Sequence, residues 1–396
     1  MNIKKVAVLG AGTMGSSIAV ALIGSGYQVL LKDVKQEFLD AGLQRIDKFL
    51  ESKVKKGLSQ QDAQKQRALV KTSTDFSGFQ QVDLVIEAVL EEFDIKRTVF
   101  AELEKHCRAD AILATNTSSL PITRIAGCTA HPERVVGMHF FNPAHLMKLV
   151  EIIPGLQTSD QTVETALAFA RSLDKLAVRV EECASFLVNR LLGRYMNEAL
   201  WALQARTGTV EEIDKAVCDY VMPIGPFALR DMNGADIGLA VAKFNYGEYG
   251  ERFAVPPILQ AMVDERLLGQ KTGRGFYLYD QETKKRQQGN PDVERLVQRF
   301  AGETSSTPLD ADTLFLPMIN EAFLVLQEKV CALEDLDPAL KAGLGMRKGP
   351  LELAQEMGLS DCLQKIETLH ARHGERFRPA PLLKRIVWSG CNQVVA

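Results

Sequence analysis

The first third of the chain alternates short apolar runs with longer stretches of mixed polarity. Val6 to Leu9, Gln28 to Leu31, Leu84 to Glu87, Ile112 to Thr115 and Val135 to Met138 predict strands, most too apolar to keep a solvent-facing side. Helix-like segments between them complete the pattern of a parallel sheet covered on both faces. A long polar stretch from Lys35 to Lys71 interrupts the alternation. Its charge and helix-forming composition predict a helical hairpin projecting from the sheet, turning at Leu58-Ser59-Gln60-Gln61-Asp62, with Ser59 as cap of the second helix. From about Phe186 strand signals fade, Leu187 to Leu203 places apolar residues at helical spacing, and most of the remainder reads as helix.

The helical part repeats itself. Met196-Asn197-Glu198-Ala199 recurs as Ile319-Asn320-Glu321-Ala322, and Ile213-Asp214 as Leu336-Asp337, both at an offset of 123. Gly225-Pro226 and Leu229 recur as Gly349-Pro350 and Leu353 at an offset of 124. Landmarks this regular, with one inserted residue, imply an internal duplication. A unit this long makes two helical domains of like fold, not a solenoid. Gln281 to Pro308, with polar, Pro-containing breaks at 284–291 and 305–308, reads as a linker around one helix.

Composition narrows the function classes. A length of 396 residues predicts about two to four domains. The balance of 47 basic against 50 acidic residues leaves no global basic field, so nucleic acid is not an expected partner. Seven scattered cysteines without a C-x-x-C pair predict free thiols in a reducing compartment, cytoplasm by default, and no metal site. One stretch imitates a membrane span: no charge appears between Lys5 and Lys32. Gly10, Gly12, Gly15, Gly24 and Gly26 break it, so a strand, a tight turn and a buried helix are expected, without membrane insertion.

That stretch carries the first chemical signature. Gly10-Ala11-Gly12-Thr13-Met14-Gly15 is G-x-G-x-x-G between a strand and a helix, where the glycines permit a tight turn, backbone approach to a pyrophosphate and close helix–strand packing. Phosphates would meet the helix N-terminus, whose unpaired N–H groups and dipole favour anions. Asp33, 18 residues after the last glycine, can accept ribose hydroxyls. No arginine stands beside it in the sequence to hold a 2′-phosphate, so NAD is expected over NADP. The plainer alternative is that the glycines serve packing alone. A second constellation spans Asn116 to Leu120, Gly137 to Pro143 and Met147 to Glu151, polar groups that follow apolar runs and could converge at the carboxyl edge of the sheet. There His139 could take a hydroxyl proton while Glu151 fixes its tautomer. Equally open at this point are a satisfied core histidine and a glutamate paired with a lysine.

The blocks GAGTMG, DLVIEAVLEE, ATNTSSLPI, GMHFFNPAHLMKLVEII, FLVNR and GQKTGRGFYLY together resemble the L-3-hydroxyacyl-CoA dehydrogenases of fatty-acid β-oxidation, from about Lys4 to Asp280. A second copy of that family's helical domain, about Pro308 to Val395, resembles the dehydrogenase part of multifunctional β-oxidation enzymes. The resemblance implies an α/β Rossmann-type N-terminal domain followed by two all-α domains of like fold. The expected bounds are 1–183 for the NAD-binding domain with its hairpin, 184–282 for the helical domain completing the active site, 283–307 for a linker and 308–396 for the second copy.

Roles follow from the same resemblance. His139 matches the catalytic base and Glu151 its carboxylate partner; Ser118 and Asn189 match the residues that hold the substrate oxygen. NAD contacts are expected at Gly10, Gly12, Gly15, Asp33, Ala88, Glu91, Lys96 and Asn116. Lys53, Lys55 and Lys56 are candidates for the CoA arm, beside the alternative of a solvated charge run. Ala184-Ser185 replaces the Pro-Gly common in the family before Phe186, a departure that bears on the placement of Asn189. The second copy has no counterpart of Asn189 and is expected to be structural. Single-copy members dimerise through the helical domain, so its duplication favours a monomer over a homodimer. The implied activity is NAD-dependent interconversion of L-3-hydroxyacyl-CoA and 3-oxoacyl-CoA. The rival readings are a dehydrogenase of free 3-hydroxy acids and a non-enzymatic NAD-binding or structural protein.

Overall fold

The computed structural model describes residues 3–280, 282–300 and 309–395. The chain divides into two compact units, the first ending at Phe186 and the second beginning at Leu187.

Unit 1 is built on an eight-stranded sheet in the order β3-β2-β1-β4-β5-β6-β7-β8. The strands are β1 (Lys5–Leu9), β2 (Gln28–Lys32), β3 (Val70–Ser73), β4 (Leu84–Glu87), β5 (Ile112–Thr115), β6 (Val135–Phe140), β7 (Leu149–Pro154) and β8 (Leu176–Arg179). The helices are α1 (Thr13–Gly24), α2 (Gln36–Lys55), α3 (Gln60–Ala68), α4 (Phe93–His106), α5 (Ile122–Ala126) and α6 (Asp160–Ser172). All neighbouring strands pair in parallel except β6 and β7, which run antiparallel. The five expected strands form the middle of the sheet, where Val6, Val8, Leu84, Ile86, Leu113 and Val136 are fully buried. β3 and β8 escape the apolar pattern because they are edges with exposed residues such as Lys71 and Arg179. The hairpin forms as α2 and α3, and Ser59 caps α3 by accepting the Asp62 N–H at 3.0 Å.

Unit 2 contains α7 (Phe186–Gln204, starting at the boundary), α8 (Val210–Tyr220), α9 (Pro226–Asn233), α10 (Ala235–Tyr249) and α11 (Pro257–Asp264). A hairpin of β9 (Tyr277–Tyr279) and β10 (Arg286–Gly289) and helix α12 (Pro291–Phe300) follow. Then α13 (Ala311–Gln327), α14 (Leu333–Leu344), α15 (Pro350–Met357), α16 (Leu359–His373) and α17 (Pro381–Trp388) repeat the first five helices in order. The expectation of linker over 283–307 is corrected in its first part. β10 pairs with β9, and α12 buries Val293, Leu296 and Val297, so this segment belongs to the packed body. The break at 305–308 lies outside the described residues.

The repeated landmarks have one physical cause in both copies. Asp214 accepts the Phe227 and Ala228 N–H groups at the start of α9, and Asp337 accepts those of Leu351 and Glu352 at the start of α15. A Cβ on Gly225 or on Gly349 would meet the respective carboxylate carbon at 2.2 Å, so glycine is what admits the acid. The copies also exchange charges reciprocally. Glu321 pairs with Arg252 at 3.1 Å and Glu198 with Arg376 at 3.3 Å, a relation of approximate two-fold symmetry within one chain. Arg194 breaks that symmetry. Its guanidinium donates to the carbonyls of both Arg252 and Arg376, and the residue at its place in the second copy is Pro317.

Candidate active site

The turn between β1 and α1 is shaped by backbone that tolerates no side chain. Gly10 has φ +91, and a Cβ there would lie 2.5 Å from Ala88 O; on Gly15 it would lie 1.7 Å from Gly10 O. At Gly12 the equivalent space is open. The α1 N-terminus has neither a capping side chain nor an acidic residue in its first turn, which leaves its N–H groups for an anion. The residues present therefore fit a dinucleotide pyrophosphate. Gly15→Ala is expected to destabilise unit 1 by about 1–3 kcal/mol and to abolish NAD binding, because the obstructing atom is backbone. Thermal unfolding with NAD titration checks this, and an unchanged melting temperature and affinity would refute it.

Asp33 is tied into the same turn. Its carboxylate accepts the Ala11 N–H and the Val34 N–H, each at 2.7 Å. Arg45 from α2 donates to Ala11 O at 3.2 Å, an arginine that closeness in sequence to Asp33 does not reveal.

The ends of β4 and β5 bring most of the other expected cofactor residues together. Lys96 and Glu87, 1% and 0% exposed, pair at 2.7 Å, and Lys96 also reaches Glu91 at 3.2 Å. Glu87 further accepts the Thr115 hydroxyl and the Val89 N–H. Glu91 accepts the Thr117 hydroxyl at 2.6 Å and the Ser118 N–H at 2.8 Å. Burial pushes the Glu91 carboxyl up, but Lys96 and these donors outweigh it and hold the group below its usual range. Asn116 ties β5 to β6 by accepting the Phe140 N–H at 2.9 Å.

His139 and Glu151 face each other across the antiparallel β6–β7 pair. Nδ1 of His139 lies 2.6 Å from Oε2 of Glu151, and both side chains are buried. With the carboxylate on Nδ1, that nitrogen carries the proton and Nε2 is left able to accept one. The rings of Phe141 and Phe186 lie 4.6 and 5.9 Å from the imidazole. Ser185 and Phe186 adopt φ of 62 and 54, the left-handed region. The serine standing where the family commonly has glycine thus holds a conformation that costs an L-residue about 1–2 kcal/mol.

Asn189 lies in the first turn of α7 and is half-buried. Lys53 packs its ammonium over Phe49 at 5.2 Å, while Lys55 and Lys56 are exposed at the end of α2. Several residues that organise the site were given no role by the sequence. Glu87 and Thr117 organise the β4 and β5 loops, and Lys175 pins the 144–147 segment by donating to Ala144 O and Met147 O. Burial pushes the Lys175 ammonium down to about 8. Its partners are carbonyls distant in sequence, which no motif could announce. Among the described residues no helix is long and apolar enough to cross a membrane, and no His, Cys, Asp and Glu cluster could hold a metal.

Comparison with known proteins is consistent along the whole chain. Residues 5–183 match the family model of the 3-hydroxyacyl-CoA dehydrogenase NAD binding domain. The C-terminal domain model of the same family matches twice, over 186–279 and 311–394. A fatty acid oxidation complex subunit alpha from Idiomarina loihiensis is 36% identical over 99% of this chain and 56% of its own length. A peroxisomal fatty acid beta-oxidation multifunctional protein from Arabidopsis thaliana is also 36% identical, over 96% of this chain and 54% of its own length. The chain thus spans just over half the length of these curated relatives. The crystal structure of 3-hydroxybutyryl-CoA dehydrogenase from Escherichia coli superposes with a TM-score of 0.89 at 30% identity, covering 98% of this chain and 100% of that one. Fold, cofactor turn and duplicated helical region thus lead to one conclusion: the chain belongs to the 3-hydroxyacyl-CoA dehydrogenase family.

Proposed function

We propose that this chain interconverts L-3-hydroxyacyl-CoA and 3-oxoacyl-CoA with NAD. The observation that carries the reading is the buried His139–Glu151 pair in the unit that also holds the glycine turn. NAD, when bound, supplies the hydride acceptor. His139 removes the hydroxyl proton through Nε2, and Glu151 stabilises the imidazolium so formed. Ser118, positioned by Glu91 through its N–H and hydroxyl, holds the substrate oxygen as its charge changes. Asn189 is assigned the same task on family resemblance. Gly10, Gly12, Gly15, Asp33, Ala88, Glu91, Lys96 and Asn116 are the residues we assign to the cofactor, and Lys53 is the CoA candidate nearest the folded body.

We further infer a monomer, since the two helical copies already exchange the reciprocal Glu321–Arg252 and Glu198–Arg376 pairs within one chain. A cytoplasmic setting is the reading favoured by the bacterial relative.

The deciding experiment follows NADH formation with 3-hydroxybutyryl-CoA, with free 3-hydroxybutanoate, and with NADP in place of NAD. Turnover confined to the thioester and NAD is expected. Equal turnover of the free acid would move the chain to the hydroxy-acid dehydrogenases, and no turnover of either would leave it an NAD-binding protein.

A further inference from the structure

Helix α2 lies directly on the cofactor turn. A Cβ on Gly42 would come within 2.8 Å of Ala11 O and 2.9 Å of the Ala11 Cβ, so glycine at 42 is what admits the helix. Arg45 follows one turn later on the same face, and its Nη1 donates to Ala11 O at 3.2 Å. Asp33 takes the other polar group of that residue, accepting the Ala11 N–H at 2.7 Å. A carboxylate and a guanidinium thus flank one residue of the turn. Standard backbone dimensions place the two bonded side-chain atoms no more than about 10 Å apart.

Arg45 has no acid of its own. Among the described residues it enters no ion pair, with Asp33 or any other carboxylate. Its neighbours on the helix face are Ala41, Gly42, Lys48 and Phe49, none of them acidic. Arg67, the other arginine of the hairpin, is by contrast held by Asp47 at 2.6 Å. The Arg45 side chain is exposed, and the bond to Ala11 O occupies one of the five N–H donors of its guanidinium. The remaining donors stand at the edge of the turn where Asp33 is assigned the ribose hydroxyls. Nothing beside Asp33 in the sequence announced this arginine, because it arrives from the following helix.

We propose that Arg45 is a second determinant of cofactor choice, a cation placed to hold the 2′-phosphate of NADP, which the Asp33 carboxylate alone keeps out. The proposal rests on the assignment of Asp33 to the cofactor ribose. A 2′-phosphate meets two opposed influences here: repulsion from Asp33 and the planar donor fork of Arg45, whose geometry suits a phosphate. In the natural chain the carboxylate prevails, because two N–H groups fix it in the turn while the arginine is exposed and screened by solvent. The preference for NAD then depends on one charge. The pyrophosphate and the adenine, common to both cofactors, are the other groups a guanidinium could take, and the test separates them from the 2′-phosphate.

Calorimetric titration with NAD and with NADP, in the absence of substrate, is carried out on the natural chain, Arg45→Gln, Asp33→Asn, Asp33→Asn/Arg45→Gln and Asp33→Asn/Arg45→Lys. Asparagine keeps an oxygen for the Ala11 N–H, and position 45 is exposed, so the turn is preserved in every variant. The natural chain is expected to prefer NAD, and Asp33→Asn to bind NADP about 10-fold more tightly or better, the scale of a charge-assisted contact. Adding Arg45→Gln should abolish that gain, and Arg45→Lys should retain part of it. Arg45→Gln alone should leave NAD affinity within about threefold. A gain that survives Arg45→Gln overturns the proposal, as does the absence of any gain in Asp33→Asn. Equal losses for NAD and NADP in Arg45→Gln assign the arginine to the shared pyrophosphate or adenine and overturn it too. Failure of the natural chain to bind NAD overturns the cofactor assignment of Asp33 itself.

Discussion

His139→Gln lowers kcat by about 10³-fold or more and leaves the affinity for NAD within about threefold, the first being the usual contribution of a positioned general base. Glutamine is the informative replacement because its amide can still donate to Glu151 and fill much of the buried space, yet it takes no proton from an alcohol. Packing is thus largely kept while the chemistry is removed. The cofactor turn lies between β1 and α1 and is held by Asp33 and backbone, none of which His139 touches. Steady-state kinetics with NAD titration of the unliganded protein separate the two effects. A variant that keeps its kcat would remove His139 from the role of base, and one that loses NAD affinity in proportion would make its role structural.

The largest effect on stability is expected at Glu321→Gln, at about 3–5 kcal/mol of unfolding free energy in unit 2. Glu321 is fully buried and faces three cations: Arg190 at 2.7 Å, Arg252 at 3.1 Å and Arg194 at 3.5 Å. Neutralising it leaves guanidinium groups in a low-dielectric interior with too little negative charge, and that residual desolvation dominates the loss. Glu328 also pairs with Arg190 at 2.7 Å but is 41% exposed, so Glu328→Gln should cost no more than about 1 kcal/mol. Chemical denaturation of both variants followed on a probe in unit 2 tests the contrast. Equal small losses would show that the cluster contributes little beyond the packing around it.

These results show where the sequence was readable. The five central strands could be seen because burial on both faces demands continuous apolar runs, and the glycine turn because its backbone admits no alternative residue. The edge strands β3 and β8 were missed since half-exposed strands carry no such run, and β7 was missed although it is largely apolar and fully buried. β10 and α12 were taken for linker because a polar, Pro-containing segment looks alike whether it spans or packs. In the site, His139 and Glu151 stood out singly, but their pairing depended on the antiparallel register of β6 against β7, which composition cannot report. Lys175 bonds to carbonyls far away in the chain and had no local pattern to betray it, while Thr117 stood inside the Asn116 to Leu120 stretch but its bond to Glu91 could not be read there.

By itself the sequence determined the α/β character of the first unit, the nucleotide turn, the duplication of the helical region and the family, because these rest on periodicity, glycine placement and repeated local motifs. Only the tertiary structure decided which charges meet. It set Glu87 against Lys96 and Glu321 against three arginines. Such pairings depend on distances between residues remote in sequence, and their energies on burial, and neither quantity exists until the chain has folded.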